Sequence, residues 1–264
     1  MIYREIETPV KLQHIVLCAW LFLTEPSDPM VTKHSVPPDG TTNLVLTRAP
    51  DGSLQALMVG PSLKSATVRV MRGSTVSGLR LRPEAAQLVT GKRPGPAMAQ
   101  PLPLDGQLGP VWADLDTLAD GVCSWHGAIK TLGRLPGGDP VVGRAVDRLI
   151  SDGGDVLVSD LAATNSMSDR QFRRRFSAAT GVSPKQFADV QRVRHALINS
   201  LDNDHWAGIA LDTGFADQPH LSRDIKNRFG TPPGQVAGYL EGIRHELLPR
   251  NRVRFVQDAE DGSV

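Results

Sequence analysis

The second half of this chain repeats itself. Leu161-Ala162 returns 48 residues later as Ile209-Ala210, and Gly181-Val182-Ser183-Pro184 returns 49 residues later as Gly230-Thr231-Pro232-Pro233. One residue is therefore inserted between the two anchors, near the second turn-to-helix junction. A unit recurring at a fixed interval is one supersecondary module used twice. Each copy reads as helix, tight turn, helix. In the first, Ser159 caps a short helix carrying Leu161, Ala162 and Ala163, and Thr164 to Met167 turn the chain. Ser168-Asp169-Arg170-Gln171 then forms a capping box, with Ser168 at N-cap and Gln171 at N3. The following helix, roughly Asp169–Ala178, buries Phe172 and Phe176 one turn apart. That leaves Arg170, Gln171, Arg173, Arg174 and Arg175 on or near its outer face. In the second copy Ile209 and Ala210 precede a turn at Gly214. The next helix, roughly Asp217–Arg228, buries Leu221 and Ile225 and exposes Gln218, His220, Ser222 and Arg223.

Between the copies, Ser183-Pro184-Lys185-Gln186 is another capping box, with proline at N1. It opens a helix carrying Phe187, Val190, Leu197 and Leu201 on one stripe. At ~1.5 Å per residue, ~18 residues make a rod of roughly 27 Å. Helix-turn-helix pairs read half-sites about one DNA turn apart, ~34 Å. Such a rod would let one chain do what a helix-turn-helix dimer does.

Charge placement agrees with that geometry more than total charge does. The formal net charge is +1, which excludes a protein basic all over but not one with a local basic face. Residues 1–140 hold 5 Lys and 8 Arg, whereas residues 141–264 hold 2 Lys and 14 Arg. Arginine is favoured where a planar fork must meet phosphate or a guanine edge, although codon usage also enriches it. Between Ser168 and Arg194 stand 7 basic and 2 acidic residues.

The first half reads differently. Short apolar runs alternate with turn residues: Val16–Leu23 before Pro26–Pro29, Asn43–Leu46 before Ala49-Pro50-Asp51-Gly52, Leu54–Val59 before Gly60-Pro61. This spacing predicts an antiparallel barrel or sandwich. Residues 105–135 read as helical, with Leu115, Leu118, Val122 and Trp125 on one stripe. Leu135-Pro136-Gly137-Gly138-Asp139-Pro140 is a strong breaker. The expected class is therefore α+β in two domains. A β-rich domain with following helices fills 1–135 and a linker 136–140. A double helix-turn-helix domain fills 141–248, and a polar tail 249–264.

The second half resembles the DNA-binding domain of the AraC/XylS family of transcriptional regulators. The resemblance rests on Leu161-Ala162-Ala163, Ser168 through Arg174 with Phe176, Thr180-Gly181-Val182-Ser183-Pro184, Ile209-Ala210, Gly214-Phe215, His220-Leu221-Ser222-Arg223, Lys226, Phe229-Gly230 and Pro232-Pro233. Departures are Pro219, Asp224, Ile225 in place of the usual Phe, and Val236 in place of the usual aromatic. In the first half, Val36-Pro37-Pro38-Asp39-Gly40, Asn43-Leu44-Val45, Gly60-Pro61 and Gly78-Leu79-Arg80-Leu81-Arg82-Pro83 resemble the N-terminal domain of one AraC-type subgroup. The resemblance implies a sequence-specific regulator whose partners are double-stranded DNA and RNA polymerase. It also implies a small-molecule effector or a homodimer interface in the first half, and no cofactor is expected. With no membrane or targeting segment standing out and only two cysteines, Cys18 and Cys123, the expected compartment is the cytoplasm, away from the membrane. The resemblance assigns DNA contact to Ser168, Arg170, Gln171, Arg173, Arg174, Gln218, His220, Ser222 and Arg223.

Blander readings stand beside these. Arg170, Arg173 and Arg174 also fit a solvated helix face, and His220 a surface histidine. Arg192 and Arg194 read as ion-paired or solvated, and Arg250, Arg252 and Arg254 as a charged tail. His14, His34, His126 and His245 lack metal-ligand spacing, and Trp20 and Trp112 read as core. The apolar run Ile15–Leu23 is far short of the ~20 residues that span a bilayer, and reads as a buried strand. No phosphate loop or nucleophile elbow is present, so no enzyme is expected. One rival is a DNA alkyl-transfer repair enzyme with an AraC-type domain. It requires an exposed nucleophilic cysteine, which neither Leu17-Cys18-Ala19 nor Val122-Cys123-Ser124 supplies. The other is an interaction module whose helix-turn-helix frame no longer binds DNA, a reading favoured by Asp169, Asp217 and Asp224.

Overall fold

The computed structural model describes residues 2–96 and 99–242. The first domain is built on antiparallel pairing. Its strands are β1 (Ile2–Glu7), β2 (Val16–Leu23), β3 (Val31–Val36), β4 (Asn43–Arg48), β5 (Leu54–Val59), β6 (Ala66–Met71), β7 (Thr75–Leu81) and β8 (Ala99–Leu102), with a short helix α1 (Ala86–Thr90) before the last. Six form one sheet, in the order β1-β2-β7-β4-β5-β8. The register aligns Ile6, Ala19, Leu79, Leu44 and Met58 in a row across it. Alternation then puts Glu5, Trp20, Gly78, Val45 and Leu57 on the opposite face. Gly78 is required there: a Cβ would stand 2.4 Å from the Trp20 ring and 2.6 Å from the Leu44 carbonyl oxygen.

The sheet does not close into the barrel that was one expectation. β3 and β6 pair only with each other, from Val31 with Met71 to Val36 with Ala66. They cannot bridge β1 to β8, so both of those strands remain edges. The β3–β6 ribbon instead lies over the sheet's second face, where the His34 ring meets Phe22 at 4.4 Å between centroids.

Two helices cover the first face, α2 (Gly109–Leu118) and α3 (His126–Thr131). They bury Val111, Trp112, Leu115, Leu118 and Ala128 against it. The continuous helix expected over 105–135 is thus broken in the middle. Gly121 takes φ 80° and the Val122 N–H reaches back to the Thr117 carbonyl at 3.0 Å, a left-handed stop. Val122, expected on the buried stripe, is consequently 55% exposed. The Asp114 carboxylate accepts the Ala128 N–H at 2.7 Å and fastens α3 to α2.

The second domain is helical: α4 (Pro140–Ser151), α5 (Val158–Thr164), α6 (Asp169–Thr180), α7 (Pro184–Asn199), α8 (Trp206–Asp212), α9 (Gln218–Phe229) and α10 (Pro233–Gly242). α5 starts at Val158 rather than behind a Ser159 cap, because Leu157 is its N-cap. α7 has 16 residues, about 24 Å, slightly shorter than the expected rod. Its early residues Phe187 and Ala188 join one core with Phe172 and Phe176. Its later residues Val193, Ala196 and Leu197 join another with Leu221 and Ile225. Among the described residues no helix is long and apolar enough to cross a membrane. Leu248, the 249–264 tail, His245, Arg250, Arg252 and Arg254 lie outside the described residues.

Candidate nucleic-acid interface

Local chemistry sets both helix starts. The Ser168 hydroxyl accepts the Gln171 N–H at 3.4 Å, and the Gln171 side-chain oxygen accepts the Ser168 N–H at 3.2 Å, completing the capping box. In the second copy Asp217 takes the cap, accepting the His220 N–H at 2.6 Å. Pro219 is harmless in this first turn, where N–H groups lack helical partners. The inserted residue is Ala216: three residues separate Thr164 from Ser168, and four separate Asp212 from Asp217. Beyond it, Ser168 matches Asp217, Gln171 matches His220, Phe172 matches Leu221 and Arg174 matches Arg223.

The buried faces determine what faces outward. Phe172 and Phe176 are fully buried, with ring centroids 5.9 Å apart, and Phe176 meets Phe187 edge-on at 6.0 Å. Leu221 and Ile225 are likewise fully buried. Ser168, Arg170, Gln171, Arg173 and Arg174 are therefore exposed on α6. Gln218, His220 and Arg223 are exposed on α9, and Ser222 is half-buried. The cap engages the Ser168 hydroxyl and the Gln171 oxygen, leaving the Gln171 amide nitrogen outside it. His220 is steadied edge-on against Phe215 at 5.3 Å, and Arg223 Nε donates to the Pro219 carbonyl at 3.2 Å.

The arginines of this domain fall into two groups. Arg175 grips Asp139 through two bonds of 2.5 and 2.9 Å. Burial raises the Asp139 carboxyl, but Arg175 and two backbone N–H groups hold it below its usual range. Arg192 donates to the Gly154 carbonyl at 3.1 Å and lies 5.7 Å from the centre of the Phe215 ring. Asp224 is neutralised by Arg228 at 3.1 Å, so it does not oppose phosphate at full strength. Arg170, Arg173 and Arg174, by contrast, have no carboxylate partner among the described residues. Exposed Lys226, four residues after Ser222, belongs to the same outer face of α9. Its i, i+4 spacing was the available signal, and it was not among the assigned contacts.

Other chemistries find less support. Among the described residues no group of three or more His, Cys, Asp or Glu is arranged to hold a metal ion. Burial pushes the Cys18 thiol up to about 12 and raises that of Cys123, the opposite of an activated nucleophile. A cavity beneath Trp125 and Leu115 measures about 10 Å³, room for one water molecule.

Two family descriptions match the chain. Residues 161–238 match a helix-turn-helix domain family, and residues 4–99 match a domain of unknown function, DUF6597. An uncharacterized HTH-type transcriptional regulator, YidL of Escherichia coli K12, is 32% identical over 95 residues, covering 36% of this chain and 32% of that protein. The chain thus spans about a third of the length of that curated relative. The DNA-binding domain of AdpA, solved in complex with a target DNA, is 26% identical over 40% of this chain and 97% of its own, at a TM-score of 0.35. ToxT from Vibrio cholerae is 8% identical over 90% of this chain and 99% of its own, at a TM-score of 0.48. An AraC-type protein from Chromobacterium violaceum is 23% identical over 42% of this chain and 95% of its own, at a TM-score of 0.34.

Proposed function

We propose, from the premise that residues 161–238 form an AraC-type helix-turn-helix domain, that this chain is a sequence-specific DNA-binding transcriptional regulator. One observation carries the reading. Exposed Arg170, Arg173 and Arg174 of α6 lack carboxylate partners among the described residues, while Arg175, exposed on the same helix, is held by Asp139 and Arg192 by the Gly154 carbonyl. α6 and α9 enter successive major grooves. Arg170, Arg173 and Arg174 meet bases or phosphates of one half-site, with Ser168 and Gln171 at the helix start. Gln218, His220, Ser222, Arg223 and Lys226 meet the other. A guanidinium gripping guanine contributes ~1–3 kcal/mol of discrimination.

The reading divides the chain near residues 136–140, with a sensing or dimerising unit before the DNA reader. RNA polymerase, a small-molecule effector and a second copy of the chain are the further partners in this reading, and the cytoplasm is its compartment. Analytical ultracentrifugation and effector-dependent DNA binding check that part.

The decisive experiment is selection of bound DNA from a random pool, followed by footprinting of variants. The expected result is two motifs about one helical turn apart. Arg174→Ala then relaxes base choice in one, and Arg223→Ala weakens protection of the other. Unchanged protection with both variants overturns the assignment.

A further inference from the structure

The first domain touches the end of each recognition helix. Gly181 and Gly230, 49 residues apart, are the left-handed C-caps of α6 and α9, at φ 77° and 74°. A Cβ on Gly181 would stand 2.3 Å from the Pro94 carbonyl oxygen, so residues 94–95 lie against the end of α6. At the end of α9 the Ser65 N–H donates to the Arg228 carbonyl at 2.8 Å, and Arg228 Nη1 donates to the Leu63 carbonyl at 3.1 Å. The Leu63 side chain packs in turn on the core of the first copy. The loop 60–65, between β5 and β6, therefore ties the second recognition helix to the first unit.

Apart from this tie the two units are joined by α7, whose ends belong to separate cores, and meet beside it where the turn at Gly214 lies against the exposed Asp155 side chain. The middle of α7 is itself held by the first domain. Gln191 donates to the Asp39 carbonyl at 3.0 Å, and Gly40 lacks the Cβ that would lie 2.9 Å from the Phe187 ring. The outer face of α9 is left open by all these contacts.

We infer that loop 60–65, acting through Arg228, is a positioning element that holds α9 at one angle to α6 and so sets the half-site spacing the protein accepts. The inference rests on the DNA-binding reading above. Inserting one base pair between half-sites rotates the second by about 34° and moves it by about 3.4 Å. A reader locked at three places cannot follow that change, whereas one hinged at α7 can.

The test uses the full chain and its selected two-motif DNA, alongside the same DNA with one base pair inserted between motifs or with the second motif scrambled. For the unaltered protein the insertion is expected to weaken binding roughly 10- to 100-fold, the worth of one or two base contacts. Arg228→Ala is expected to bind the inserted DNA within about threefold of the parent, while scrambling the second motif still weakens it. Loss of stability alone lowers binding to all three DNAs together. Asp224→Asn, which removes only the partner of Arg228 within α9, is expected to keep the spacing penalty. Should Arg228→Ala fail to fold, replacing Ser62, Leu63 and Lys64 together by glycine leaves α9 intact and is expected to relax spacing in the same way. Either an unaltered protein that tolerates the insertion, or variants that keep the full penalty, overturns the inference. An unaltered protein that retains no DNA overturns the DNA-binding reading itself, a distinct result.

Discussion

Ser166 and Gly214 occupy the same turn position, 48 residues apart, and both stand in left-handed backbone space, at φ 53° and 74°. The turn between the two helices of each unit imposes this conformation. Glycine adopts it freely, whereas a side chain costs about 1–2 kcal/mol there. Ser166→Gly is therefore expected to raise stability by about 0.5–1 kcal/mol, read as a shift in urea midpoint. Gly214→Ala is expected to cost about 1–2 kcal/mol. Its Cβ would come within 2.5 Å of Asp155, but that carboxylate is 64% exposed and swings aside. A lowered midpoint for Ser166→Gly would contradict the equivalence.

Arg173 and Arg175 are two residues apart and exposed, yet they should behave differently. Arg175 holds Asp139, so Arg175→Ala is expected to cost about 0.5 kcal/mol of stability and leave the salt dependence of DNA binding unchanged. Arg173→Ala is expected to leave stability alone and flatten the slope of log affinity against log salt by about one, as the loss of one phosphate contact does. Titrations at several salt concentrations, with thermal melts, separate the two.

Burial lowers the His34 pKa to about 4, so the folded ribbon holds this imidazole neutral. The unfolded chain titrates near 6.5. Below that value the unfolded state binds the extra proton, and the stability contributed by neutral His34 drains away as pH falls from about 6.5 to about 4. The full effect is about 3–4 kcal/mol, taken as about 1.4 kcal/mol per unit. Denaturant melts across this range should show the parent losing stability relative to His34→Phe as pH falls from about 6.5 to about 4. Parallel curves would show that His34 does not titrate with folding.

Gly78 has no room for a side chain between the Trp20 ring and the Leu44 carbonyl oxygen. Gly78→Ala is expected to destabilise the first domain by about 2–3 kcal/mol, the upper range of overpacking costs, because one obstacle is backbone. Trp20 fluorescence should change with it, since its Nε1 bond to Asn43, 3.1 Å long, orients the ring.

Repetition and periodicity alone identified the second domain. Its caps, the buried pairs Phe172/Phe176 and Leu221/Ile225, and the exposed arginines follow from short-range rules that act within one or two helical turns. The strands of the first domain were equally legible, because alternation is a local property. What local patterns could not supply was long-range pairing. That β3 and β6 choose each other and leave the sheet open depends on contacts 30 or more residues apart. The stop at Gly121, within a stripe that looked continuous, turns on backbone conformation at a single residue. Arg228 was indistinguishable from its neighbours until folding brought Leu63 and Ser65 to it across more than 160 residues. Sequence by itself determined which faces are apolar and where helices begin. Tertiary structure alone decided which arginines are engaged and how the two reading helices are held, because both depend on partners distant in the chain.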